Sequence, residues 1–284
     1  MTSTFAAFFY PNDPDRIRES LGRIPWPVAA PSFVWPGPVA ENCRMLAGVF
    51  PEVALLFFES KACLDYGGDD LPGWLGNLGL SYHLHLPLDL PWQAGAAEAF
   101  RVAAALADKT AFLSPTCFVL HPPREPRELE AFAALWTKRG FAPETLAIEN
   151  TQAASLDRHW PLIRGLGLGV CLDLGHVLAY GQKLSLDLPG LAGTLRLVHL
   201  CAPYAAGGPT GAEAGAMPAR ARGHGHFPLT GLDTAGRELA RRVLELTPAN
   251  ATIVLEIFEP AGLFESVFAL EALCLNASEV ASSI

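Results

Sequence analysis

Short, almost continuously apolar runs recur along the chain, and most end in an ionisable residue. VALLFF (53–58), YHLHL (82–86), CFVLH (117–121), LAIEN (146–150), GVCLD (169–173), RLVHL (196–200) and TIVLEIF (252–258) read as strands buried on both faces of a parallel sheet. An eighth run, PVAAPSFV (27–34), carries prolines and is a weaker strand signal. Helical patterns lie between them. Pro126–Arg139 places Leu129, Phe132, Leu135 and Trp136 at helical spacing. Ala94–Asp108 is rich in helix-forming Ala, Glu and Arg, and Leu232–Leu246 carries Leu232, Leu239, Val243 and Leu246 on one face.

A strand-then-helix alternation implies a parallel sheet with right-handed crossovers. The length of 284 residues accommodates eight such units in one domain spanning 1–284. The expected fold is therefore α/β, a single (β/α)8 TIM barrel. An open doubly wound sheet ranks second, because no glycine-rich phosphate loop follows an early strand. Residues 202–225 are rich in Gly, Ala and Pro and lack periodicity, so they read as a long loop near the active site, either a lid or a mobile connection.

Composition narrows the function. Half the residues are hydrophobic and 17% are charged, which suits a large buried core rather than disorder. The net charge of −9 disfavours a nucleic-acid partner, whose phosphates call for a basic surface. No apolar run approaches the ~20 residues of a membrane helix. The first residues lack the basic-then-apolar order of a signal peptide. The six cysteines form no C-x-x-C pair and are expected to be reduced thiols in a cytoplasmic protein.

The chemistry sits at the strand ends. In chain order they carry Glu59, His83 and His85, His121, Glu149, Asp173 with His176 following, His199, and Glu256; His224 and His226 lie just after the long loop. Barrel active sites form at the C-terminal ends of the strands, so these distant residues should converge. Seven of the eight histidines belong to this set, and only His159 lies elsewhere. Taken singly, each has a structural explanation. His121 suits a hydrogen-bonded core histidine, Asp173 a helix cap, Glu256 a partner for an arginine, and His224 and His226 a solvated loop. Glu59 suits a group that orients a neighbour. Taken jointly, acids and histidines on one rim without lysine or arginine call for bound cations. Zn, Mn, Fe and Co suit that donor set, zinc first. His83, two residues before His85, faces the same way one layer deeper and is expected to support the site from behind.

The order H-L-P, H, E-N, D-x-x-H, H, H-x-H, E resembles the xylose-isomerase-like barrel superfamily, which includes the endonuclease IV type of enzyme; the resemblance covers residues 24–260. In its phosphodiesterase branch three metals are held by nine ligands. The resemblance assigns His85, His121 and Glu149 to one metal. It assigns Asp173, His199 and Glu256, with Glu149 bridging, to a second, and His176, His224 and His226 to a third. His224 departs from that branch, which has Asp there. The isomerase and epimerase branch needs Glu149, Asp173, His199 and Glu256 alone. The strings PSFVWP, LLFFES, HLHLPLDLPW, LAIENT, VCLDLGHVLAYG and LVHL are similar to the cobamide-remodelling phosphodiesterases of the CbiR type.

The resemblance implies a phosphodiesterase with two or three divalent metals per chain, acting on the nucleotide loop of cobamides. The alternative is a sugar (phosphate) isomerase or epimerase. Glu149, Glu256 and His176 are the expected catalytic residues, and Glu59, His83, Arg220 and Arg222 the expected groups on the substrate side. The expected partner is a small molecule, a corrinoid or a sugar phosphate, rather than nucleic acid or membrane.

Overall fold

The computed structural model describes residues 14–204 and 225–281, the side chains of 184 and 276–281 excepted. Eight parallel strands close into a barrel: β1 (Val28–Pro31), β2 (Glu52–Leu56), β3 (Ser81–His85), β4 (Phe118–Leu120), β5 (Leu146–Glu149), β6 (Gly169–Asp173), β7 (Leu195–Leu200) and β8 (Thr252–Leu255). Closure is made by β1, which pairs with β2 on one side and β8 on the other. The weak proline-bearing run is thus a full member of the barrel, shortened to four residues with Pro31 at its end. The closed order rules out the open doubly wound sheet.

Ten α-helices are described: α1 (Pro14–Arg23), α2 (Val39–Leu46), α3 (Ser60–Leu64), α4 (Ala96–Thr110), α5 (Pro126–Arg139), α6 (Leu156–Leu166), α7 (Leu174–Tyr180), α8 (Leu191–Thr194), α9 (Thr234–Leu246) and α10 (Pro260–Ala281). The bounds of α5 coincide with the periodic segment for a local reason. Pro126 opens it, where a missing N–H costs nothing, and Gly140 closes it at φ 101°, a conformation that suits glycine. None of the described helices is long and apolar enough to cross a membrane.

Alternation along the strands sorts their side chains into two cores. One set faces the helices, among them Val53, Leu55 and Phe57 of the β2 segment and Tyr82 and Leu84 of β3. The other fills the barrel with Ala29, Ala54, Leu56, Cys117, Val119, Ala147, Cys171, Leu197 and Val254. Two residues further along, the same inward face carries His121, Glu149, Asp173, His199 and Glu256. The fold therefore aims these groups into the barrel mouth by parity alone.

The floor of the barrel is polar. Glu52 Oε1 lies 2.5 Å from His83 Nδ1, and Glu52 Oε2 accepts from the Thr252 hydroxyl at 3.0 Å. Burial alone would raise the pKa of Glu52, but the His83 and Thr252 contacts hold it below its usual value. A carboxyl with a depressed folded pKa adds stability above its unfolded value of about 4.3 and loses it as the pH falls through the folded one. Glu52→Gln is expected to cost about 1–3 kcal/mol at pH 7, because His83 loses its charged partner. Urea unfolding should show that gap narrowing below about pH 4. A gap unchanged down to pH 3.5 would mean that the Glu52 charge contributes nothing to the floor.

Candidate metal centre

Glu149 is the hub. It ends β5, and its carboxylate is buried among four histidines. Oε2 is 3.1 Å from His85 Nε2 and 3.8 Å from His199 Nδ1. Oε1 is 3.3 Å from both His121 Nε2 and His176 Nδ1. Burial pushes its pKa up, but His121, His176 and His85 together hold it well below the usual carboxylate range. The orientation of His85 is set by its own backbone surroundings: Nδ1 faces the Leu86 carbonyl at 2.9 Å, which leaves Nε2 to meet Glu149.

Asp173 does two things at once. As the last residue of β6 it is also the N-cap of α7, and its Oδ1 accepts from the His176 N–H at 2.5 Å. Its Oδ2 is turned toward the mouth, 3.6 Å from His176 Nδ1 and 3.8 Å from His199 Nδ1. The cap and the ligand readings of this residue are compatible, because each uses a different oxygen. His199 lies between the acids, with Nδ1 3.3 Å from Glu256 Oε2. His226 Nδ1 is 3.3 Å from the same Glu256 oxygen.

Two residues that the pattern of strand-end acids and histidines passed over hold this arrangement in place. The Asn150 side chain receives the Asp173 N–H at 2.8 Å and donates to the Asp173 carbonyl at 2.9 Å. Its own carbonyl lies 2.7 Å from His176 Nδ1. Gln182 accepts from the Asn150 amide at 3.1 Å and donates to the Thr151 carbonyl at 2.8 Å. The E-N pair in LAIENT marks Asn150 in the sequence; nothing local marks Gln182. Cys171, one inward step below Asp173, also groups with Glu149 and His199. Burial holds its thiol pKa well above normal, which keeps it protonated.

The remaining expected residues are distributed as follows. His83 is fully buried in the floor with Glu52, so it does not reach a substrate at the mouth. Glu59 is exposed at the N-cap position of α3, where its side chain makes no capping bond, and the inward position at that strand end belongs to Phe58. His224, Arg220 and Arg222, with most of the expected loop 202–225, lie outside the described residues. The two ends of that loop are zipped together. Ala202 and Phe227 exchange backbone bonds of 2.8 and 3.0 Å, and the Gly225 N–H donates to Pro203 at 3.0 Å. This pairing brings His226 beside Glu256.

These donors fit divalent cations. Four groups of three are close enough to share an ion: His85, His199 and Glu256; His85, His121 and Glu149; Glu149, Cys171 and His199; and Glu149, Asp173 and His176. Among the described residues, none makes a hydrogen bond to Asp173 Oδ2 or to either ring nitrogen of His199, although all three atoms are buried. Among the described residues, the ion-pair partners of Glu149, Asp173 and Glu256 are histidines alone. Protons are drawn in as a result. Against the opposing effect of burial, Asp173 and Glu149 raise His176 to about 9. A buried cluster of acids and histidines of this kind is a candidate to hold cations in place of protons.

No protein-family model matches the sequence, and none of the curated proteins does. Solved structures do. A D-tagatose 3-epimerase-like protein superposes with a TM-score of 0.66 at 12% identity, over 89% of this chain and 99% of its own. An L-ribulose 3-epimerase gives 0.58 at 15% identity, over 89% of this chain and 97% of its own. The IOLI protein, solved with a zinc atom bound, gives 0.58 at 12% identity, over 88% and 96%. At such identities the likeness is one of fold. The chain has the closed (β/α)8 TIM-barrel fold on which these three structures superpose.

Proposed function

We propose that the chain is a metal-dependent phosphodiesterase acting on a small anionic substrate, with the nucleotide loop of a cobamide as the substrate class. The observation that supports this most is the number of ligand-type side chains packed around Glu149. His85, His121, His176, His199 and Asp173 adjoin it directly or through one another, and Glu256 and His226 continue the set. One cation with three or four protein ligands leaves most of them unused, whereas two or three cations employ them all. When bound, such cations polarise phosphoryl oxygens and make water acidic enough to act as a nucleophile near neutral pH.

The chain's own groups divide the remaining work. Glu149, kept ionised by its histidines, is the central fixed charge. Asp173 Oδ2 and Glu256 add carboxylate oxygens 3.8 and 3.3 Å from His199 Nδ1. His176, tied through Nδ1 to the Asn150 carbonyl, is oriented toward the leaving-group side. Arg220 and Arg222 meet substrate phosphate from the loop. Exposed Glu59 stands at the rim for polar contacts. The corrinoid substrate rests on the resemblance of strings such as LAIENT and VCLDLGHVLAYG to the cobamide-remodelling phosphodiesterases.

A sugar (phosphate) isomerase or epimerase is the second reading, and two neighbours titled as epimerases or epimerase-like favour it. There Glu149, Asp173, His199 and Glu256 hold one cation. Glu149 and Glu256, with oxygens 3.8 and 3.3 Å from His199 Nδ1, serve as acid and base.

Metal content separates the two. Elemental analysis of protein purified without chelator or metal-affinity tag is expected to give two or three transition-metal equivalents per chain, zinc first. One equivalent, with turnover of a ketose on adding Mn or Co, would transfer the assignment to the epimerase. Glu149→Gln is expected to lower hydrolysis of cobamides or of bis(p-nitrophenyl) phosphate by roughly a hundredfold or more, with metal lost in parallel. Asn150→Ala should lower kcat and metal occupancy by roughly tenfold. Gln182→Ala, which leaves the Asn150–Asp173 bonds in place, should have the smaller effect. Equal effects of the two would place the orienting role elsewhere.

A further inference from the structure

The inward face that delivers ligands from β3 to β8 delivers something else next to them. At the same parity, just past the ends of β1, β2 and β8, stand Phe33, Phe58 and Phe258. The Phe33 and Phe58 rings have centroids 5.1 Å apart, and Phe58 and Phe258 are 6.1 Å apart in an edge-on arrangement. Phe33 and Phe258 rest on the inner barrel core, while Phe58 is 40% exposed. The Leu88 N–H donates to the Phe58 carbonyl, and Leu88 is itself 51% exposed.

The patch is continuous with the metal ligands. His226, which touches Glu256, has its ring 4.8 Å from Phe258 and edge-on to it. The path from ligand to exposed ring is therefore Glu256, His226, Phe258, Phe58. Large apolar side chains scattered singly on a surface need no explanation, but a cluster at the mouth of a polar site does. A sugar's hydroxyls would lose hydrogen bonds against this wall. A flat unsaturated ring would gain stacking contacts with it.

From this geometry we propose that Phe33, Phe58 and Phe258 form a stacking shelf for a planar aromatic or heteroaromatic group of the substrate, held beside the anionic group that meets the ligand cluster. The shelf rests on the phosphodiesterase reading for the identity of that anion. It makes Phe58 the side chain that discriminates among phosphate esters.

The test reads binding, not turnover. Phenyl phosphate and methyl phosphate carry the same anion and differ in the ring. Calorimetric titration of the full-length protein with its own metal should find phenyl phosphate bound roughly tenfold more tightly. Phe58→Tyr should keep that ratio. Phe58→Ala, and Phe58→Leu with its apolar but non-planar side chain, should bring it close to one while leaving methyl phosphate binding unchanged. Equal binding of the two esters, binding of neither, or a ratio that survives Phe58→Ala overturns the shelf. Hydrolysis of bis(p-nitrophenyl) phosphate is assayed separately. A ring preference without hydrolysis keeps the shelf and removes the phosphodiesterase, and hydrolysis without ring preference does the reverse.

Discussion

Three carboxylates, Glu149, Asp173 and Glu256, are buried at the mouth of the barrel, directly above a layer of small apolar side chains and cysteines. Holding them there unpaired would be expensive, because the charge of each is far better solvated by water than by Val, Leu and Ala. The histidines around them are the structure's response: each stands within ion-pair distance of at least one of these acids. Protons on His176, His199 and His226, all three raised, supply part of the compensation, and the direction of the shifts follows. Burial pushes His199 down and Asp173 up. The acids near His199, with Cys171, outweigh burial and raise it, whereas Asp173 stays raised by burial and by the charges of its fellow acids. Cations concentrate more charge in the same space and need no proton at all, and this is why the cluster suits metal.

That constraint reaches into the supporting structure. Asp173 can serve the centre only because its second oxygen caps α7, which ties the helix start to the strand end. Asn150 holds both the N–H and the carbonyl of Asp173, so the backbone of β6 cannot drift relative to β5. The loop after β7 is pinned at its base by Ala202 and Phe227, and His226 inherits its position from that pairing. Each device is modest alone. Together they fix donors from β3, β4, β5, β6, β7 and β8 within a few ångströms, as metal chemistry requires.

Much of this was legible in the chain. Strand runs that are apolar throughout can only be buried on both faces, and eight of them with helices between leave few alternatives to a closed barrel. The strand-end acids and histidines followed from the same pattern. What escaped was the part set by contacts between elements. Gln182 earns its place through Asn150, thirty-two residues earlier, and no local pattern announces it. Parity with His85 places His83 one layer deeper, but its partner there, Glu52 on the neighbouring strand, and the Thr252 hydroxyl that also bonds Glu52 were not legible. The strand PVAAPSFV looked weak because proline removes a donor, yet Pro31 falls at the strand's end, where the ladder can spare one.

The clearest case is the pair Phe58 and Glu59. Read as the last polar residue of a strand, Glu59 belongs with the groups expected on the substrate side. Alternation assigns otherwise: Ala54 and Leu56 point inward, so Phe58 does too, and Glu59 starts α3 facing solvent. A slip of one residue in β2 would exchange them, turning an aromatic wall into a further carboxylate. The register holds because Val53, Leu55 and Phe57 fill the core under the helices, where Ala54 and Leu56 are too few to substitute. The outer core of β2 therefore determines the chemistry of its inner rim. The mouth of the barrel is divided into a ligating side, β3 to β8, and an apolar side, Phe33, Phe58 and Phe258. A substrate that uses both sides must carry its charge and its flat apolar surface close together.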